Sequence, residues 1–177
     1  MIFFDMDGVL AKYDRGGYNF EEEGGPNYLK KGYFLEREPD NGAVALFRKC
    51  LKVCPNDIYI ITSVPNGNKR NSIIFDKLAW IDKYLPEFDI GTHFIATTSS
   101  KMSFIEWLRG SSITSKDILI DDYNPNLYSW MSRGGTAIKY INNVNSVDSW
   151  VGSYIAEYME DSVMFDFLMR VVMETNK

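Results

Sequence analysis

Four short apolar runs in this sequence each lead straight into side chains that carry oxygen or positive charge. Ile2-Phe3-Phe4 runs into Asp5-Met6-Asp7-Gly8, the run 58–61 into Thr62-Ser63, the run 93–96 into Thr97 and then Lys101, and Ile118-Leu119-Ile120 into Asp121-Asp122. If these runs are strands of one parallel sheet, their carboxyl ends share an edge, and ligands of open parallel sheets bind just beyond that edge. Four carboxylates, two hydroxyls and one ammonium would then meet in a single crevice. Such a cluster is unfavourable unless protons or a cation relieve the repulsion. An all-oxygen ligand set with few protein donors suits Mg²⁺, which keeps several waters and takes further ligands from a phosphate.

These residue types fit phosphoryl transfer. An aspartate beside Mg²⁺ and an ammonium can attack phosphorus and form an aspartyl-phosphate that water later breaks. A second aspartate two residues on can protonate the leaving oxygen and then activate that water. Hydroxyls and backbone N–H groups would hold the phosphoryl oxygens, while lysine and Mg²⁺ offset the charge of the transition state. Singly, each signal is ordinary: Asp-x-Asp is common in turns, and a Thr-Ser pair often only caps a helix. Their order, each at a strand end, makes the set specific. The single histidine, His93, falls at a strand start, away from the crevice, so histidine-based acid, base or metal chemistry is not expected.

The elements that must position these groups alternate between strand and helix, the pattern of a layered α/β domain with a mostly parallel sheet. Strands are expected near 2–4, 58–61, 93–96, 118–120 and 137–140. A helix over 42–51 turns Val44, Phe47 and Leu51 to one face, with Asp40 or Asn41 as its cap. A second over 72–85 does the same with Ile74, Leu78, Ile81 and Leu85, and Pro86 stops it. A third over 101–109 carries Met102, Ile105 and Leu108 inward and ends at Gly110. The stretch 12–40, rich in glycine around Glu21-Glu22-Glu23, reads as loops with little helix, a small lid over the strand ends. The tail 146–177 reads as helical and apolar, packed on the sheet or at a homodimer interface.

Length and composition bound the rest. With 177 residues, 45% hydrophobic and 24% charged, the chain fits one compact domain over 1–177 and is not a disordered one. A net charge of −5 argues against broad binding to nucleic acid or an anionic membrane, and no apolar run approaches the length of a membrane span. Cys50 and Cys54, without further cysteines or histidines for a zinc site, are expected as reduced thiols of a cytoplasmic protein.

The ordered set resembles the haloacid dehalogenase (HAD) superfamily of phosphotransferases: Asp5-Met6-Asp7-Gly8-Val9 is similar to its first motif, Thr62 to its second, Lys101 to its third and Asp121-Asp122 to its fourth. The resemblance implies a doubly wound, Rossmann-type three-layer fold with a short cap after the first strand. It implies Asp5 as nucleophile, Asp7 as acid and base, and a phosphate cradle of Thr62, Ser63, Gly8 and Lys101. Mg²⁺ would be held by Asp5, the backbone carbonyl of Asp7 and one of the aspartate pair; relatives suggest Asp122, with Asp121 left open. Within the superfamily the sequence is closest to the 5'(3')-deoxyribonucleotidases, through the opening 5–11, the segment Tyr33-Phe34-Leu35-Glu36-Arg37-Glu38-Pro39, Ile61-Thr62-Ser63, Lys77-Leu78-Ala79-Trp80 and the run 118–122. The likeness covers most of residues 1–130.

Three departures qualify it. Val64 stands between the Thr-Ser pair and Pro65, where that branch has proline directly. Nineteen residues separate Lys101 from Asp121, more than in the branch, which leaves Lys116 as an understudy. The cap is cut short, so that of the branch's base-binding aromatics only Tyr13 and Tyr28 have counterparts, and an open, shallower site is expected. The expected activity is Mg²⁺-dependent hydrolysis of a small phosphomonoester, a nucleoside monophosphate first. A sugar phosphate or a nucleic-acid end is the alternative substrate, and a non-catalytic assembly protein working through its Met-rich tail is the alternative class.

Overall fold

The computed structural model describes residues 1–13, 20–21, 25–26, 29–142, 144–145 and 150–176. Its centre is a six-stranded sheet in the order β5-β4-β1-β6-β7-β8, formed by β1 (Ile2–Phe4), β4 (Ile58–Ser63), β5 (Phe94–Thr97), β6 (Ile118–Asp121), β7 (Thr136–Ile141) and β8 (Ser153–Ala156). Every pairing in it is parallel. From β1 the chain winds outward through β4 to β5, returns to β6 on the other side of β1, and continues to β7 and β8. This is a doubly wound sheet, and its switch point lies at β1 and β6, the strands that end in Asp5 and Asp121. β2 (Phe20–Glu21) and β3 (Gly25–Pro26) form a separate antiparallel pair in the cap.

Alternation along the strands divides the core between two faces, since successive side chains of a strand point to opposite sides. Ile2, Phe4, Ile58, Ile60, Ile118, Ile120, Ile138 and Tyr140 pack on one face with α1 (Asn41–Val53), the C-terminal half of α2 (Arg70–Tyr84) and α6 (Asp161–Thr175). Phe3, Ile61, Leu119 and Ala137 face the other layer, made by α4 (Lys101–Arg109) and α5 (Asn124–Met131). A one-turn α3 (Ile90–His93) leads into β5. No described helix is long and apolar enough to cross a membrane.

Local chemistry explains several boundaries. Asp40 caps α1 by accepting the Ala43 N–H at 3.0 Å, and Ser100 caps α4 by accepting that of Ser103 at 3.2 Å. α4 stops at Gly110, whose φ of +65° suits the left-handed cap.

Four expectations require correction. The tail over 146–177 is not wholly helical: Ser153–Ala156 is an edge strand, with Ile155 and Ala156 buried, and only α6 beyond it is helix; residues 146–149 lie outside the described residues. The inward face of α2 is Ile73, Asp76, Lys77, Trp80 and Ile81, whereas Ile74 and Leu78 are only partly buried. Leu108 of α4 is 55% exposed and does not join the core. His93, expected as the first residue of a strand, instead ends α3, one residue before β5 begins, and its ring meets Tyr59 edge-on.

Candidate functional site

Because β1, β4, β5 and β6 run parallel, Asp5, Asp7, Thr62, Lys101, Asp121 and Asp122 arrive at the same edge of the sheet. Lys101 is the hub. Its ammonium lies 2.6 Å from Asp5 Oδ1 and 2.7 Å from Asp121 Oδ2, and all three residues are buried. Lys101 occupies the first position of α4, where the helix dipole disfavours a cation; two carboxylates compensate for that placement. Lys116 is at the opposite end of the sheet, just before β6, where its carbonyl accepts from the chain's amino terminus.

The two aspartates of the pair have different surroundings. Asp121 is fully engaged: Oδ1 accepts the Tyr123 N–H at 2.8 Å, and Oδ2 accepts from Lys101 and from Asn126 Nδ2 at 3.0 Å. Asp122 faces the cavity, and among the described residues the hydrogen bonds to its carboxylate fall on Oδ2, from Asn142 Nδ2 and Asn145 Nδ2, each at 2.7 Å.

Asp7 and Thr62 are joined by Lys77. The Lys77 ammonium, fully buried, donates to Asp7 Oδ2 and to Thr62 Oγ1 (2.7 Å), while the Thr62 hydroxyl is 3.3 Å from Asp7 Oδ2. Asp7 Oδ1 is buried without a hydrogen-bond partner among the described residues. Ser63 ends β4, exposed, on the cavity wall.

Gly8 has a different place from the expected cradle. Its N–H is bonded to the Ala11 carbonyl at 2.8 Å and is therefore not directed at a ligand. What glycine supplies is a φ of +86° and the absence of a β-carbon, which would sit 2.1 Å from Asp122 Oδ2.

Burial and mutual repulsion dominate the electrostatics. Burial raises the Asp5 carboxyl well above the usual range; Lys101 opposes this, and Asp121, Asp7 and Asp122 add to it. Asp122 is pushed up to about 7 by burial and then by Asp121, against the pull of the Asn142 and Asn145 amides. Burial alone would lower Lys101, but Asp121 and Asp5 outweigh it and the net shift is upward. One oxygen from each of Asp5, Asp121 and Asp122 lies within 4.8 Å of the others. That spread is close to the roughly 4 Å across an octahedral magnesium shell, so a hard divalent cation fits the donor set.

A cavity of about 630 Å³ opens over this floor. Its walls are Tyr13, Phe34, Val64 and Pro65 on one side and Tyr123 and Asn126 on the other. Tyr13 meets Tyr33 edge-on at 6.5 Å, and Val64, Phe34, Tyr33 and Ile73 form a small core of their own beside it. The returning arm of the cap is fastened to α2, by Gly32 N–H to Asp76 (2.6 Å) and Trp80 Nε1–H to the Arg37 carbonyl (2.7 Å). Tyr28, the other expected aromatic, lies outside the described residues.

Sequence reasoning left open whether Lys77 assists binding, gave Phe34 and Tyr123 no role in the site, and passed over the whole carboxyl end of β7, which brings Lys139, Asn142 and Asn145. Lys139 is a lysine inside the otherwise apolar run Thr136–Ile141, and that oddity was a usable signal. Its buried ammonium donates to the Asp122 carbonyl at 2.6 Å, and burial lowers it against the opposing pull of Asp122 and Asp121.

No family model matches the sequence, and no curated protein does. Solved structures do share the fold. One is a D,D-heptose 1,7-bisphosphate phosphatase from Burkholderia thailandensis, with a TM-score of 0.58 and 11% identity over 94% of this chain and 97% of that one. Another is a HAD-superfamily hydrolase from Ehrlichia chaffeensis, with a TM-score of 0.53 and 15% identity over 97% of this chain and 96% of that one. The architecture is thus the HAD-like, Rossmann-type three-layer fold.

Proposed function

We propose that the chain is a HAD-type, Mg²⁺-dependent phosphatase that hydrolyses a small phosphomonoester through an aspartyl-phosphate at Asp5. The observation that carries this reading is the Lys101 ammonium bridging Asp5 and Asp121, at a strand edge shared with Asp7, Thr62 and Asp122 beneath one open cavity. The Met6 N–H (2.8 Å) and Lys101 both bind Asp5 Oδ1, which leaves Oδ2 as the attacking oxygen. As the bond from Oδ2 to phosphorus forms, the ester P–O bond breaks and Asp7 delivers a proton to the departing alkoxide. Asp7 then takes a proton from the water that attacks the aspartyl-phosphate, and the phosphorus–Asp5 bond breaks to release phosphate. Thr62, Lys77 and Lys101 orient the phosphoryl group and offset its charge. Mg²⁺, when bound, supplies further positive charge at the phosphoryl oxygens. Asp5 and Asp122 would be its side-chain ligands, with the Asp7 carbonyl, while Asp121, whose oxygens already accept from Tyr123, Lys101 and Asn126, would hold Lys101 instead.

A nucleoside monophosphate is the substrate class favoured by the walls, since Tyr13, Phe34 and Tyr123 offer ring faces beside the acidic floor. Asp5→Asn keeps the shape and removes the attacking oxyanion. Its turnover is expected to vanish while its melting curve stays cooperative, and wild-type phosphatase activity in Asp5→Asn would overturn the mechanism. A panel of phosphomonoesters assayed with Mg²⁺ tests the substrate class, and a strong preference for non-nucleotides would end the nucleotide reading.

A further inference from the structure

The strand-end chemistry described above uses β1, β4, β5 and β6, yet β7 sends three more side chains to the same edge. Lys139 holds the backbone carbonyl of Asp122, and Asn142 and Asn145 hold its carboxylate. The orientation of the Asn142 amide is fixed by its own loop: Oδ1 accepts the N–H groups of Val144 (2.9 Å) and Asn145 (3.3 Å), so Nδ2 must face inward. That nitrogen donates at once to Asp122 Oδ2 (2.7 Å) and to the Gly8 carbonyl (2.6 Å). The fit around it is tight, since a β-carbon on Gly8 would lie 2.9 Å from Asn142 Nδ2 as well as 2.1 Å from Asp122 Oδ2.

We infer that Asn142 and Asn145 form an amide clamp that positions Asp122 for a divalent cation, with Asn142 also tying the Asp7-Gly8 turn to that carboxylate. This rests on the reading of the site as Mg²⁺-dependent. The torsion of a free aspartate carboxylate is soft, with two near-equivalent orientations. Two donors on Oδ2 fix the plane of the group and, among the described residues, leave Oδ1 as the oxygen for the ion. Neutral amides suit this task better than a lysine, because they orient the carboxylate without cancelling its charge or competing with the cation. The bond to Gly8 couples the fourth-motif aspartate to the first-motif turn, so the ligands on β1 and β6 keep their spacing when the site is empty of substrate. Asn142 and Asn145 are thus positioning residues, acting through Asp122 and the Gly8 turn, with Asn145 also on the cavity wall.

The test is Mn²⁺ binding to metal-stripped protein without substrate, by electron paramagnetic resonance, paired with Mg²⁺ titration of phosphatase turnover. Asn145→Ala removes one amide donor from Asp122 and is the primary variant; Asn142→Ala also removes the Gly8 tie and is compared with it. Each is expected to weaken Mn²⁺ by about 10- to 100-fold, the range for loss of a group that orients a metal ligand. The Mg²⁺ concentration for half-maximal turnover should rise in parallel, while kcat at saturating Mg²⁺ returns to the wild-type level. A general loss of structure would depress kcat at every Mg²⁺ concentration, so that pattern counts against the clamp. Wild-type Mn²⁺ affinity in a folded Asn145→Ala protein overturns the clamp and leaves the proposed function standing. Failure of the wild-type protein itself to bind Mn²⁺ overturns both.

Discussion

Replacing Lys101 with methionine measures how far the acidic floor depends on one ammonium. Methionine keeps an unbranched apolar stem, so the change isolates the charge. The ammonium it removes lies 2.6 Å from Asp5 and 2.7 Å from Asp121, with side-chain exposures of 2% for Lys101, 9% for Asp5 and 0% for Asp121. Removing one partner of a buried ion pair costs about 3–5 kcal/mol, because the remaining charge is stranded. Asp121 keeps its bonds from Tyr123 and Asn126, and Asp5 keeps that from Met6, so the loss should stay within that range. At roughly 2–4 °C per kcal/mol for a chain of this size, Lys101→Met should melt about 6–20 °C below wild type in EDTA at pH 8. The loss must also depend on pH. Without Lys101, which opposes the rise that burial causes, the folded-state pKa of Asp5 moves further above its unfolded value. An acid raised in this way costs nothing below its unfolded pKa and its full penalty above its folded pKa, so the gap to wild type should be small near pH 4 and widest at pH 8. Lys101→Met/Asp121→Asn removes one stranded charge and should recover a large part of the loss. Thermal and urea denaturation of the three proteins across pH is the assay. A Lys101→Met protein that melts within about 2 °C of wild type at pH 8, or a gap that ignores pH, would refute the assignment of Lys101 as the charge that holds the pair together.

Gly8→Ala forces a β-carbon to within 2.1 Å of Asp122 Oδ2 at a φ of +86°. It should cost about 1–2 kcal/mol from the backbone alone and weaken Mg²⁺ activation at least about tenfold, read by urea denaturation and Mg²⁺ titration. Asp5 and Asp122 are both raised by burial, so the metal-free protein should lose stability as pH rises from about 4 to about 7, where the native state still holds protons that the unfolded chain has released. Mg²⁺ must displace those protons, so the rise in melting temperature it causes should be small at pH 5 and large at pH 8; a shift independent of pH would contradict the ligand set.

The parts of the fold legible in the sequence were those with a strong local signature. The strands 2–4, 58–61 and 118–120 are near-continuous apolar runs because both faces of a central parallel strand are covered, and each ends abruptly in polar residues. β8 was hidden because Ser153–Ala156 is short, half exposed and followed closely by the apolar residues of α6, so one helical reading absorbed both. The part played by Lys77 stayed open for another reason. Helical periodicity assigns lysines to the solvent face, and the rule failed because Lys77 shares the buried face of α2 with Ile73, Trp80 and Ile81 and its ammonium meets Asp7, Thr62 and the Phe34 ring instead of water. Asn142 and Asn145 carry no charge and follow a strand to which no chemistry had been assigned. Only the topology, with β7 next to β6, brings them to Asp122.

The distribution of positive charge over the four carboxylates supports the proposed place of the cation. Lys101 serves Asp5 and Asp121, and Lys77 serves Asp7, each by direct contact. Asp122 is the remaining one: among the described residues no ammonium touches its carboxylate, and Lys139 next to it is turned to the backbone carbonyl. Its two amide partners orient it without neutralising it, which is why burial and Asp121 still raise it to about 7. The protein's own lysines thus contact three of the four carboxylates. The deficit they leave lies at Asp122, beside the free oxygen of Asp5, where a divalent ion and a phosphoryl group would both be in reach of the nucleophile.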